Sequence, residues 1–277
     1  MTRLIDTLYP NLSAARAARE ADGATLARRI GPVCTETPLT AGQGTGLRLL
    51  PKDAPDAGTR DPLVFVHGGG WVFGSPRQAV ALASQIAVLA ARPVHSVGYR
   101  RAPEQAYPAA HDDVVAGLRD AAGRCVTGFS AGANLALTAT LELRDASADL
   151  PGRLILFYPV ADSIGQDWSH ITFGQQPDAL SQARMAAYAE AYAPSPDQAR
   201  KAVHLIGADL HDLPPVDLIC GDRDMLLCDT LSLYRALILA GNAASLTIVP
   251  GQGHGFANDW LDDAAIADLL TRFFKEN

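Results

Sequence analysis

Several things are scarce in this sequence. Its 277 residues include only 4 cysteines, Cys34, Cys125, Cys220 and Cys228, with no C-x-x-C pair among them. That scatter excludes a disulfide framework and a thiolate metal knuckle, and leaves free, mostly buried thiols in a reducing compartment as the expectation. Basic residues do not dominate: 23 Lys and Arg stand against 30 Asp and Glu, a net charge of −7. Phosphate backbones and anionic membrane faces need clustered cations, so nucleic acid is excluded as a main partner and acidic lipid surfaces are disfavoured. No run of about 18 apolar residues is present that would span a bilayer. The first ten residues include Arg3 and Asp6 and lack the apolar core of a secretory leader, so the expected location is cytoplasmic. Internal repeats and low-complexity segments are also missing. What is present is globular: 48% hydrophobic and 19% charged residues, enough chain to bury one large core.

Periodicity predicts the elements. Residues 2–30 carry apolar residues at helical spacing (Leu4, Ile5, Leu8, Leu12, Leu26, Ile30) and read as two short helices broken near Tyr9-Pro10. Residues 33–50 read as two edge strands joined at Gly42-Gln43-Gly44-Thr45-Gly46. This is no dinucleotide fingerprint, because no strand–glycine–helix unit surrounds it. Strands then alternate with helices: strand 62–67, helix 78–91, strand 93–98, helix 109–122, strand 124–128, helix 131–146, strand 153–158. After an interruption over 162–200, polar at first and helical over Ser181–Ala193, come strand 216–220, helix 228–240, strand 245–249 and helix 262–275. That order predicts an α/β domain: a mostly parallel sheet of about eight strands with helices on both faces. The whole chain, 1–277, is one domain in this reading, with cap elements from about 1–32 and 162–200.

In a parallel sheet the loops that do chemistry gather at the carboxyl ends of the strands. Val66 is followed by His67-Gly68-Gly69-Gly70. Val126 leads into Gly128-Phe129-Ser130-Ala131-Gly132, the G-x-S-x-G pattern of a nucleophile elbow. Cys220 is followed by Asp222 and Asp224, and Val249 by His254 within Gly251-Gln252-Gly253-His254-Gly255-Phe256. Serine, then acid, then histidine is the chain order of an α/β-hydrolase triad. Ser130 is the candidate nucleophile and His254 the base. Either aspartate can orient the imidazole as far as spacing tells. The glycine run leaves backbone N–H groups accessible, and with the N–H of Ala131 they form a candidate oxyanion hole. Trp71, Phe129 and Phe256 flank the site as candidate substrate contacts, with core packing the alternative. His67 is read as a structural residue of the glycine loop. His204, Asp209, His211 and Asp212 are a loose ligand set whose irregular spacing reads as a loop, so no metal is assigned.

The chain resembles the hormone-sensitive-lipase-like esterases, the α/β-hydrolase-3 group. The pieces that carry the resemblance are His67-Gly68-Gly69-Gly70-Trp71 with Gly74-Ser75, Tyr99-Arg100-Arg101-Ala102-Pro103-Glu104 with Tyr107-Pro108 and Asp113, the elbow with Asn134-Leu135-Ala136, Tyr158-Pro159, Leu213-Pro214-Pro215, Asp224-x-Leu226 and His254-Gly255-Phe256. They run in order from about Val64 to Phe256. The resemblance implies an α/β-hydrolase fold, hydrolysis of small-molecule carboxylic esters without metal or organic cofactor, and Asp224 rather than Asp222 as the triad acid. It also implies oxyanion donors at Gly69, Gly70 and Ala131, and a homodimer through the last strand and helix. Three departures stand out: Phe129 where the family usually has Asp, a shortened stretch over 112–126, and Val203-His204-Leu205-Ile206 where a Ser-Pro pair is usual.

The function expected is therefore a serine hydrolase acting on small to medium acyl esters through an acyl-enzyme. An amide or formamide hydrolase is the alternative, although arylformamidases typically carry an aromatic where Gly70 stands. A ligand-binding receptor on the same fold is a third reading, against which His254 stands, since such receptors lack a working histidine.

Overall fold

In the computed structural model, which describes residues 3–41, 44–119, 121, 123–162, 167–175 and 180–275, the strands form one 8-stranded sheet. They are β1 (Cys34–Ala41), β2 (Gly44–Pro51), β3 (Leu63–Val66), β4 (Val94–Val97), β5 (Cys125–Phe129), β6 (Arg153–Phe157), β7 (Val216–Gly221) and β8 (Ala244–Val249). Their order across the sheet is β1-β2-β4-β3-β5-β6-β7-β8. The run from β4 to β8 is parallel; β2 pairs antiparallel with both β1 and β4. Gly42 and Gln43, part of the expected glycine turn, lie outside the described residues.

Side chains two apart share a face of a strand, and the core follows that rule. In β3, Val64 and Val66 point into one apolar cluster while Leu63 and Phe65 point into the other. In β6, Leu154 and Leu156 divide from Ile155 and Phe157 in the same way. Both faces must therefore be covered by helices. Helices α4 (Ala109–Leu118), α5 (Ala131–Asp145) and α9 (Leu227–Leu239) supply residues to the first cluster; α3 (Val80–Ala90) and α10 (Ala264–Lys275) supply residues to the second.

The chain runs from β3 outward to β4, then crosses back to β5 on the other side of β3. The loops leaving β3 and β5 thus diverge, and a crevice opens at their carboxyl ends. The glycine loop and the elbow sit there together.

The N-terminal region forms two helices broken at Tyr9-Pro10, as expected, but only the first is short. It forms α1 (Leu4–Leu8) and one 19-residue helix, α2 (Leu12–Ile30). α2 has no apolar stripe to signal its length; it is rich in Ala and Arg, which favour helix intrinsically. Its Arg16 ties it down, donating to the carbonyls of Val72 (3.0 Å) and Ala102 (2.7 Å) and to Glu104 (2.7 and 2.9 Å). The mid-chain insertion forms α6 (Trp168–Phe173), α7 (Gln182–Tyr192) and α8 (Pro196–Ala202); residues 163–166 and 176–179 of it lie outside the described residues. α1 packs on α7, where the hydroxyls of Tyr9 and Tyr188 meet at 2.7 Å. Among the described residues no helix is long and apolar enough to cross a membrane.

Candidate active site

β5 ends in a turn that only small neighbours permit. Ser130 sits at φ +54°, ψ −120°, a backbone region that costs a non-glycine residue on the order of 1–3 kcal/mol. The strain persists because both sides are packed. A Cβ on Gly132 would lie 2.3 Å from the carbonyl oxygens of Val66 and His67, and one on Gly128 would lie 2.6 Å from Cα of Ala133. The two glycines let α5 start hard against β3 and hold Ser130 Oγ above the sheet.

His254 stands next to that hydroxyl. Its Nε2 is 3.0 Å from Ser130 Oγ, and its Nδ1 lies 2.9 and 3.0 Å from the two carboxylate oxygens of Asp224. Asp224 is fully buried and also accepts the Leu226 N–H at 2.8 Å. Asp222 is placed elsewhere: it accepts the Gly251 N–H at 2.7 Å, while the N–H of Arg223 donates to Gln252. It ties the loop after β7 to the loop that carries His254. Burial and direction separate two aspartates that spacing leaves equivalent. From α6, Ser169 Oγ donates to the Met225 carbonyl (2.8 Å) and accepts the Cys228 N–H (3.1 Å), bracing the acid from behind.

The glycine loop after β3 folds back on itself, with the Gly69 carbonyl accepting from the amides of Val72 (3.2 Å) and Phe73 (2.8 Å). Gly70 adopts φ +60°, and a Cβ there would strike the Tyr188 ring at 2.3 Å. Ala131 is the first residue of α5, so its N–H has no carbonyl one turn back to bond. His67 is structural in geometry: it is buried, its Nδ1 meets the Gly68 carbonyl at 2.8 Å, and its ring stacks on Tyr99 at 4.1 Å. Desolvation holds its pKa down at about 4, so it is neutral and carries no charge into the site. The Tyr99 hydroxyl donates to the His67 carbonyl (3.0 Å) and Arg101 to that of Gly74 (3.0 Å). The Tyr99-Arg100-Arg101 motif thus buttresses the glycine loop, while Arg100 clamps the buried Asp113 of α4.

Ser130 and His254 open into a cavity of ≈320 Å³. Phe65, Leu82 and Phe129 wall one side, and Phe129 is where an aromatic was expected. Trp71 and Phe256 are placed differently, in the packing that was the stated alternative. Trp71 is fully buried, stacked on Tyr192 at 4.8 Å; Phe256 packs edge-on to Tyr158 at 5.3 Å within the second core cluster. Neither lines the cavity, because both rings point into the packed core. Tyr158 does line it, edge-on to His254 at 4.8 Å. It comes directly after β6, so the strand-end rule that picks out Ser130 and His254 also reaches Tyr158 once β6 is included. Arg19, Arg184, Met185 and Tyr188 complete the wall from α2 and α7. The sequence carries no local signal for these four, since which face of a helix meets the cavity depends on how the helix docks. His204 and His211 do not converge: the first meets Asp162 and the second Asp209, each at 2.8 Å.

The switch-point crevice, the strained elbow and the serine–imidazole–carboxylate chain together define an α/β-hydrolase. The α/β-hydrolase-3 family model, described as alpha/beta hydrolase fold, matches residues 63–258, and the chain belongs to that family. It is similar to an acetyl-hydrolase of Streptomyces hygroscopicus, 33% identical over 199 residues that cover 69% of this chain and 67% of the relative. It is also similar to the carboxylesterase NlhH of Mycobacterium tuberculosis, 31% identical over 228 residues, 76% of this chain and 70% of the relative. Among solved structures, a hormone-sensitive lipase from a metagenome library aligns with a TM-score of 0.87 and 26% identity, over 95% of this chain and 89% of that one. The chain is an enzyme of this hormone-sensitive-lipase-like group.

Proposed function

We propose that the enzyme is a serine carboxylesterase that cleaves small to medium acyl esters through an acyl-enzyme. The observation that supports it most is the hydrogen-bonded chain Ser130–His254–Asp224 at the floor of a cavity. With the proton on Nδ1, His254 donates to Asp224, and Nε2 accepts from the Ser130 hydroxyl. Ser130 attacks the ester carbonyl as its proton passes to Nε2. The imidazolium, stabilised by the buried carboxylate, returns that proton to the departing alcohol. Water then repeats the sequence on the acyl-enzyme. The N–H groups of Gly69, Gly70 and Ala131 face the developing oxyanion, each donor worth about 3 kcal/mol in such sites. Nucleophile, base and donors all come from the chain, so no step calls for a metal or organic cofactor. Dimerisation through the last strand, β8, and the last helix, α10, is part of this reading, and the exposure of Ile248 on β8 supports the strand's share in it.

A series of nitrophenyl esters from acetate to laurate, run on the wild type and Ser130→Ala, tests the reading. Turnover of the shorter esters is expected, with a loss of at least ~10³-fold in the variant. Undiminished turnover by Ser130→Ala overturns the assignment.

A further inference from the structure

We propose that Tyr158 is a positioning residue that holds the His254 imidazole, and the loop that carries it, in line with Ser130; this rests on the esterase reading above. The base stands on a segment that needs holding. His254 lies between Gly253 and Gly255, and Gly255 adopts φ +85°. Glycines on both sides give a loop more backbone freedom than any other neighbours would. The Asp224 carboxylate fixes the imidazole at Nδ1 but leaves the ring free to tilt about that contact.

Upstream of His254 the loop is tied by two backbone anchors. Asp222 accepts the Gly251 N–H, and the Arg223 N–H donates to the Gln252 carbonyl. Downstream, Tyr158 meets three of the next residues. Its ring stands edge-on to His254 at 4.8 Å and to Phe256 at 5.3 Å, and its hydroxyl accepts the Ala257 N–H. Ala257 is fully buried, so that N–H is costly to leave unmet.

Tyr158 is itself held on every side. It adopts φ +37°, a strained backbone for a residue with a side chain. A glycine would take this conformation without strain, so what tyrosine adds here is its side chain. Its N–H donates to the Ile219 carbonyl of β7 at 2.6 Å, the strand that Asp224 follows. Its ring meets Phe129, the residue before the nucleophile, at 6.1 Å. One side chain thus joins the elbow and the base loop from a backbone bonded to the acid's strand. Burial, with Asp224 and Asp259 nearby, pushes the pKa of the hydroxyl well up, so it stays neutral and adds no charge beside the Asp224–His254 pair.

The experiment measures kcat and KM for nitrophenyl acetate, butyrate and hexanoate on the wild type, Ser130→Ala, Tyr158→Phe and Tyr158→Leu. The downfield proton resonance of the His254 Nδ1–H is recorded alongside. Tyr158→Phe keeps the ring and loses the hydroxyl, and its kcat should fall about threefold to tenfold; Tyr158→Leu loses both and should fall about 10²-fold. Acylation and deacylation both use the base, so KM should stay within about twofold and the loss of kcat should be the same for all three esters. A residue that only walls the cavity would instead move KM or the preferred chain length. The resonance should broaden in Tyr158→Phe and vanish in Tyr158→Leu. Should Tyr158→Leu not fold, Tyr158→Phe decides alone. If Tyr158→Phe matches the wild type in kcat and in its resonance, or changes only KM, the positioning role is overturned, while loss of turnover in Ser130→Ala leaves the esterase reading standing. If the wild type cleaves none of the esters, both fall together.

Discussion

Asp222 and Asp224 differ by two positions and by everything around them. Asp224 is sealed against His254 and the Leu226 amide, whereas Asp222 sits part-exposed and holds Gly251. Asp224→Asn should therefore lower kcat by about 10³–10⁴ with little loss of stability, because an amide favours the wrong imidazole tautomer. Asp222→Ala should cost about 1 kcal/mol of stability from the lost loop bond, with a much smaller effect on kcat. Urea unfolding and steady-state kinetics on both variants check the division, and equal losses of kcat would refute it. The serine, the histidine and the glycine loop were readable because each comes after a strand in a fixed order. The choice between the aspartates was not readable from spacing, since both fall in the same loop and only burial tells them apart. For Trp71 the two readings stayed open for a related reason: proximity in sequence to the glycine loop says nothing about which way an indole turns.

At the scale of elements, strands were legible to within a residue or two, because apolar runs bounded by glycine and proline have few other uses. Helices of the N-terminal and mid-chain segments were less so. α8 carries a signature that could have marked it: Ser195 caps with Gln198 returning the bond, and Pro196 opens the first turn. α2 has no such pattern, and its place depends on Arg16 reaching Val72, Ala102 and Glu104. Arg16→Met should keep the aliphatic packing and lose these bonds, at a cost of about 2 kcal/mol. The expected result is faster hydrogen exchange across residues 12–30 and a raised KM, since α2 supplies part of the cavity wall. Unchanged exchange in α2 would show that packing alone holds it.

At the scale of the molecule, one buried pair outside the catalytic centre sets a pH dependence. Asp229 in α9 accepts the amides of Ala161 (2.9 Å) and Asp162 (2.7 Å), and its other oxygen lies 3.2 Å from His170 Nε2. Burial pushes its pKa up to about 8 and pushes that of His170 down, so both are neutral in the folded protein at pH 7. The folded carboxyl keeps a proton that the unfolded one releases near 3.8, so its contribution to stability is complete below that value and declines as pH rises toward 8. Above pH 7 the imidazole is largely neutral in either state and drops out of the balance. Asp229→Asn should flatten the decline between pH 7 and 8 by up to ~1.4 kcal/mol per pH unit. Urea midpoints at the two pH values measure it, and parallel slopes would contradict the assignment.

The three groups of the proposed triad come from positions 130, 224 and 254, and the last lies beyond β8, the edge strand and the final one along the chain. A chain ending before residue 244 can present the serine but no imidazole. On the proposed mechanism, synthesis from the N-terminus thus keeps Ser130 without its base until the final strand has docked. During refolding, turnover should return with the closing of that edge and lag behind burial of the central strands, which makes catalysis a clock for the last event of folding.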